Sequence, residues 1–181
     1  MSNPPTPRVE VRRLPERASY DKDLINSILD EALICHVAFV HDGIPVAIPT
    51  IHARVGDTLY FHGSPASRML RGMRSGEVVS VNVTILDGLV VARAAFHNSM
   101  NYRSVVLFGE PRIVDDPDEK WRALEAVTEH VLPGRWADSR PMTDKEMKGT
   151  LVAAVTIDEA SAKVRSGGPG DDAADYELPI W

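Results

Sequence analysis

The chain has 181 residues, 44% of them hydrophobic and 25% charged, which fits one domain large enough to bury a sizeable core. Its formal net charge of -6 disfavours a broad nucleic-acid or anionic-membrane surface, because such partners are held mainly by excess Lys and Arg. Cys35 is alone, the N-terminal stretch lacks the apolar centre of a signal peptide, and no apolar run reaches the roughly 18 residues of a membrane span. A cytoplasmic protein with neither disulfide, membrane nor nucleic-acid partner is therefore expected.

Residues 1–19 hold Pro4, Pro5, Pro7 and Pro15, each of which removes a backbone donor, so this segment reads as an extended arm. Leu24, Ile25, Ile28 and Leu29 fall at helical spacing and predict an amphipathic helix from Asp21 to Ala32. The runs "LICHVAFV" and "IPVAIPTIHARV" flank Asp42-Gly43, a pair suited to the positive-φ positions of a hairpin turn. A third strand over Thr58 to His62 would extend this meander. Ser64 is placed to cap a short helix, with Pro65 in its first turn, an apolar stripe of Met69, Leu70 and Met73, and Gly76 past its end.

Two more strands, "EVVSVNVTIL" and "RSVVLFGEPRIV", are joined by a long segment whose first half has extended character. Asp116 and Glu119 have capping-box spacing ahead of a helix bearing Trp121, Leu124, Val127, Val131 and Leu132, and Thr143 with Glu146 repeats that signature. "TLVAAVTID" and "SAKVRS" close the strand pattern of a domain over residues 20–166, and residues 167–181 form a Gly- and Asp-rich tail. Many short antiparallel strands with few helices predict an α+β fold, a small β-barrel with peripheral helices, because closure removes exposed sheet edges.

Three stretches stand out chemically. "FHGSPASR" sets Ser64, Ser67 and Arg68 at a strand-to-helix corner, where hydroxyls, free amides and a guanidinium suit an anion such as a phosphate. Pro49 interrupts "AIPTIH" and belongs at an edge or bulge, since it cannot donate to a ladder. "FHNSMNYRS" crowds polar side chains just before an apolar strand, with Arg103 and Val105 on one face and Tyr102 and Ser104 on the other. The six histidines include no HxH, HxxH or HExxH pair, so no metal site is read from spacing, and only folding could assemble His52, His62 and His97. Cys35 lies in an apolar strand and reads as a core residue.

In order, "ICHVAFVHDGIPVAIPT", "GDTLYFHGSPASRMLRGMRSGEVVSVNV", "NYRSVVLFGEP" and "ASAKVRSGGPGDDAADYELPIW" resemble the flavin-nucleotide-binding branch of the pyridoxamine 5'-phosphate oxidase-like superfamily, which includes the nitroimidazole-resistance proteins. The resemblance implies an FMN-binding split β-barrel and a homodimer with FMN sites at the subunit interface. It sets Ile48, Pro49 and Thr50 along the isoalloxazine, with Phe61 and His62 on the adjoining strand. It also gives Ser67 and Arg68 the FMN phosphate, makes Ser64 a further donor, and carries Asn101, Tyr102, Arg103 and Ser104 to a flavin across the interface.

Met69 replaces the lysine that follows Ser-Arg in the oxidase proper, His52 stands where its second phosphate-directed lysine is expected, and the oxidase's C-terminal Arg-His motif is missing. Relatives often continue beyond the tryptophan corresponding to Trp181. Oxidation of pyridoxamine phosphate is therefore not expected. The resemblance implies instead a flavin-dependent oxidoreductase of a small nitroaromatic or quinone-like molecule, with no catalytic side chain assigned. The alternatives are a non-catalytic flavin store, or a barrel holding the deazaflavin F420 or haem, with His52, His62 or His97 as the axial ligand.

Overall fold

The computed structural model describes residues 4–180. After a two-residue strand β1 (Ala18–Ser19), helix α1 (Lys22–Glu31) starts where Asp21 accepts a hydrogen bond from Leu24 N at 2.9 Å, and it buries Ile25, Ile28 and Leu29. Strands β2 (Ile34–His41) and β3 (Ile44–Ile51) form the predicted hairpin. Its turn holds Asp42 at φ 52° and Gly43 at φ 75°, both in the left-handed region that a two-residue turn of this hand requires.

The run "IPVAIPTIHARV" is not one strand. It breaks at His52, which is fully buried, and β4 (Ala53–Val55) resumes in a second sheet. There β4 pairs with β5 (Thr58–Gly63), so the third strand does not extend the first hairpin as expected. His52 Nε2 donates to Leu29 O at 2.9 Å and His130 Nε2 to Ala32 O at 2.9 Å, with the two rings 5.3 Å apart. These imidazoles satisfy carbonyls that the end of α1 leaves without helical partners.

The remaining elements are α2 (Arg68–Met73), β6 (Val79–Val90), β7 (Ser99–Gly109), β8 (Arg112–Ile113), α3 (Pro117–Val131), α4 (Asp144–Gly149), β9 (Leu151–Thr156) and β10 (Glu159–Arg165). They complete a six-stranded sheet ordered β1-β10-β7-β6-β2-β3 and a four-stranded sheet ordered β4-β5-β9-β8, with every pairing antiparallel. Val37, Phe39, Val81 and Leu107 of the first sheet and Leu59 and Phe61 of the second share one apolar core, the interior of a split β-barrel. Cys35 belongs to it, its thiol pushed up to about 12 by burial. A smaller cluster of Tyr60, Ala123, Leu124 and Val152 lies between the four-stranded sheet and α3, so β5 is covered on both faces.

Several boundaries differ from expectation. Ser64 opens a turn, accepting from Ala66 N at 3.2 Å, and α2 begins only after Ser67. Asp116 accepts from Asp118 N at 3.1 Å, but Glu119 does not close a capping box, because its carboxylate is taken by Arg112 and Tyr60. The Thr143–Glu146 box does form. Strands β6 and β7 make a long ribbon with a register shift between Leu86 and Gly88, and β7 starts at Ser99, earlier than predicted. The arm lies against the larger sheet: Val9 is buried, and Arg8 pairs with Glu159 at 2.9 Å. Trp181 lies outside the described residues.

Burial lowers the pKa of His52 below its ordinary value of 6.5, and its buried Nδ1 has no hydrogen-bond partner. Between the lowered folded value and the ordinary one, the unfolded chain binds more protons, so stability rises with pH in that window. The contribution is complete above the unfolded value and is lost as pH falls through the window, with His62, also lowered by burial, adding in the same direction. The thermal midpoint of the cofactor-free protein should fall on acidification from about pH 7.5 to about pH 5.5, less steeply for His52→Gln. A midpoint independent of pH over that interval contradicts a neutral His52 at the sheet crossing.

Candidate functional site

The corner between β5 and α2 gathers the residues expected to hold an anion. Ser67 N donates to Ser64 O at 2.9 Å and closes the turn, which leaves Ser67 at the helix cap and Arg68 exposed on the first turn. Ser67 Oγ makes no capping hydrogen bond, and the Arg68 guanidinium contacts no acceptor among the described residues. A free guanidinium beside two hydroxyls suits a phosphate. With only six residues in α2, the arginine matters here more than the helix.

Pro49 occupies the edge strand β3, where its missing N–H breaks no ladder on the open side. Thr50 and Ile48 pair with Cys35 and Val37 and share their inward face, whereas Pro49 pairs with His36 on the outer face. These three residues therefore do not present one surface. Phe61 is fully buried in the barrel core, and β5 belongs to the other sheet rather than adjoining β3.

His62, next along β5, points the opposite way. With Ile51, Leu124, Val127, Leu132 and Trp136 it lines a cleft of about 340 Å³ between the smaller sheet and α3. Its Nδ1 is buried with no partner, and burial lowers its pKa below the ordinary value. The imidazole is thus neutral near pH 7 and can act as a ligand. The walls from α3 and the following turn were invisible as a site in the sequence; the only signal was that α3 carries more apolar residues than one core-facing stripe needs.

The polar cluster that opens β7 is largely spent within the chain. Arg103 donates to Asp87 at 2.7 and 3.1 Å and to both carboxylate oxygens of Glu31, and those hydrogen bonds hold both carboxyls below their usual range. Its guanidinium joins the end of α1 to the bulge of β6 and commits four of its five N–H donors to these two carboxylates, which leaves one Nη1 hydrogen free. Asn101 Nδ2 donates to Gly167 O at 3.1 Å while Asn101 accepts from Arg165, and Ser104 Oγ donates to Lys163 O at 3.2 Å. Tyr102 stands opposite Leu86 and Arg165 on the outer face.

The other two histidines considered as metal ligands are differently placed. His52 is sealed in the core, and His97 faces Asp172 and Asp175 of the tail, with ligand atoms within 4.8 Å of one another. Asp171 accepts from Arg93 N at 3.1 Å and Ala94 N at 3.3 Å and so fixes the tail against the far end of the β6–β7 ribbon.

No helix is long and apolar enough to cross a membrane among the described residues. None of the functionally curated proteins matches the chain. Solved structures do. The flavocytochrome Anf3 of Azotobacter vinelandii superposes with a TM-score of 0.91 at 38% identity, covering 99% of this chain and 84% of that one. A FAD- and haem-binding protein of Mycobacterium smegmatis gives 0.86 at 40% identity, covering 91% and 81%. A Bacteroides thetaiotaomicron protein described as a putative 5-nitroimidazole antibiotic resistance protein gives 0.68 at 24% identity, covering 81% and 86%, a likeness of fold alone. The sequence profile of pyridoxamine 5'-phosphate oxidase matches residues 21–164, and the chain belongs to that family.

Proposed function

We propose that this protein is a flavin- and haem-binding redox protein acting as a homodimer on a small, electron-accepting molecule such as a quinone or nitroaromatic. The observation that carries the reading is the His62 cleft: a neutral imidazole with an unpartnered buried nitrogen, set in apolar walls. Such a site would suit a histidine that binds haem iron. Ser64, Ser67 and Arg68 offer the phosphate of FMN or FAD a free guanidinium and two hydroxyls. The likeness to a flavocytochrome and to a FAD- and haem-binding protein supports the pairing of cofactors.

Bound flavin and haem would supply the electron transfer, and the polypeptide contributes binding, orientation and exclusion of water. Arg68 would hold the flavin's phosphate by charge, and His62, kept unprotonated by burial, would offer a lone pair to iron. The homodimer is supported by a ribbon end rich in exposed apolar side chains. Phe96 is 91%, Leu89 74% and Val91 68% exposed in one chain, more apolar surface than a solitary subunit usually leaves in water. A second copy covering this surface would bring two ribbons together.

Arg68→Ala should weaken flavin binding by about 1.5 to 3 kcal/mol, the scale of a charge-assisted hydrogen bond. Titration of the cofactor-free protein with FMN and with FAD reads this directly, and an unchanged dissociation constant removes Arg68 from the site. His62→Ala should lose the absorption signature of imidazole-ligated haem while retaining flavin. A variant whose haem spectrum matches the parent's shows that another residue ligates the iron.

A further inference from the structure

The apolar cleft beside His62 does not end at its hydrophobic walls. Met142 and Thr150 line it and also line a second hollow of about 680 Å³, whose rim carries Arg135, Ser139 and Arg140. An apolar hollow and a polar one are thus neighbours with a common wall. Drug- and cofactor-sized sites span roughly 300 to 1,000 Å³, so neither hollow is too small to contribute to one ligand site.

The charges at the mouth are not equivalent. Arg140 donates to both oxygens of Glu146, at 2.6 and 2.9 Å, and that carboxylate also caps α4. Arg135 has no acceptor near its guanidinium among the described residues. Its position is fixed by the backbone: Arg135 N donates to Leu132 O at 3.0 Å, and Ser139 Oγ donates to Arg135 O at 2.8 Å. Glu129 accepts from Gly134 N at 2.6 Å and Trp136 N at 2.7 Å, tying the flanking residues to α3. With Asp138 and Glu146 on the same rim the mouth carries no net excess of positive charge, so it would not gather anions indiscriminately. A directed guanidinium–carboxylate pair is the interaction it offers.

We propose that Arg135 binds a carboxylate of the ligand whose apolar body lies beside His62. The ligand is then amphipathic, a flat apolar body with an acidic edge, and for the haem of the proposed function that edge is a propionate. This inference rests on the haem reading. It adds what selects the ligand's orientation: apolar walls accept either face or end of a macrocycle, and a cation at one mouth favours the acidic end there.

The test compares haem, metal-free protoporphyrin IX and protoporphyrin IX dimethyl ester on the parent, Arg135→Gln and Arg135→Lys proteins, with thermal midpoints confirming that the variants fold. Arg135→Gln should weaken haem and protoporphyrin by about tenfold or more and leave the ester unchanged, with Arg135→Lys recovering part of the loss. Equal affinities in the parent and Arg135→Gln, or an equal loss for acid and ester, would overturn the role of Arg135 and leave the haem reading standing. Failure of the parent to bind any of the three porphyrins removes the haem reading and this inference together.

Discussion

The architecture depends on one buried imidazole at the point where the chain leaves one sheet for the other. Burying a polar ring without a partner costs on the order of 1 to 3 kcal/mol, and His52 offsets part of that by donating to Leu29 O. The bond fixes the end of α1 against the start of β4, and His130 makes the corresponding bond to Ala32 O from α3. Three elements from distant parts of the sequence thereby meet at a single corner. From it the edge strand runs one way and β4 and β5 the other, which delivers Ile51 and His62 to the same cleft.

Charge pairing decides which arginines remain available to a ligand. Arg103 spends four of its five N–H donors on Glu31 and Asp87 and serves to hold α1 onto the β6–β7 ribbon. Arg68 and Arg135 have no such partners among the described residues. The residue type is the same in all three places; the neighbours brought in by folding separate a committed guanidinium from an uncommitted one. A like division applies to the histidines, where His52 is committed to a helix carbonyl and His62 lines the cleft with its buried Nδ1 unpartnered.

Features set by local chemistry were legible in the sequence. The Asp42-Gly43 turn, the apolar stripe of α1 and the Thr143–Glu146 capping box each need only residues a few positions apart. The ordered motifs of the whole chain gave the barrel and the family. The break at His52 was not legible, because β-branched residues continue on either side and the change of sheet is a tertiary choice. Nor was the pairing of Arg103, whose partner Glu31 is 72 residues away. The two faces of β5 were not legible for a simpler reason: both are covered, so apolar alternation does not tell the barrel side from the α3 side.

The most direct measurement is the visible absorption spectrum of the purified protein after incubation with a flavin nucleotide and haem and removal of unbound ligand. The account predicts blue-region flavin bands and a haem Soret band together in the retained protein. Protein that retains flavin with no Soret band, or emerges colourless, contradicts a chain built to hold both cofactors.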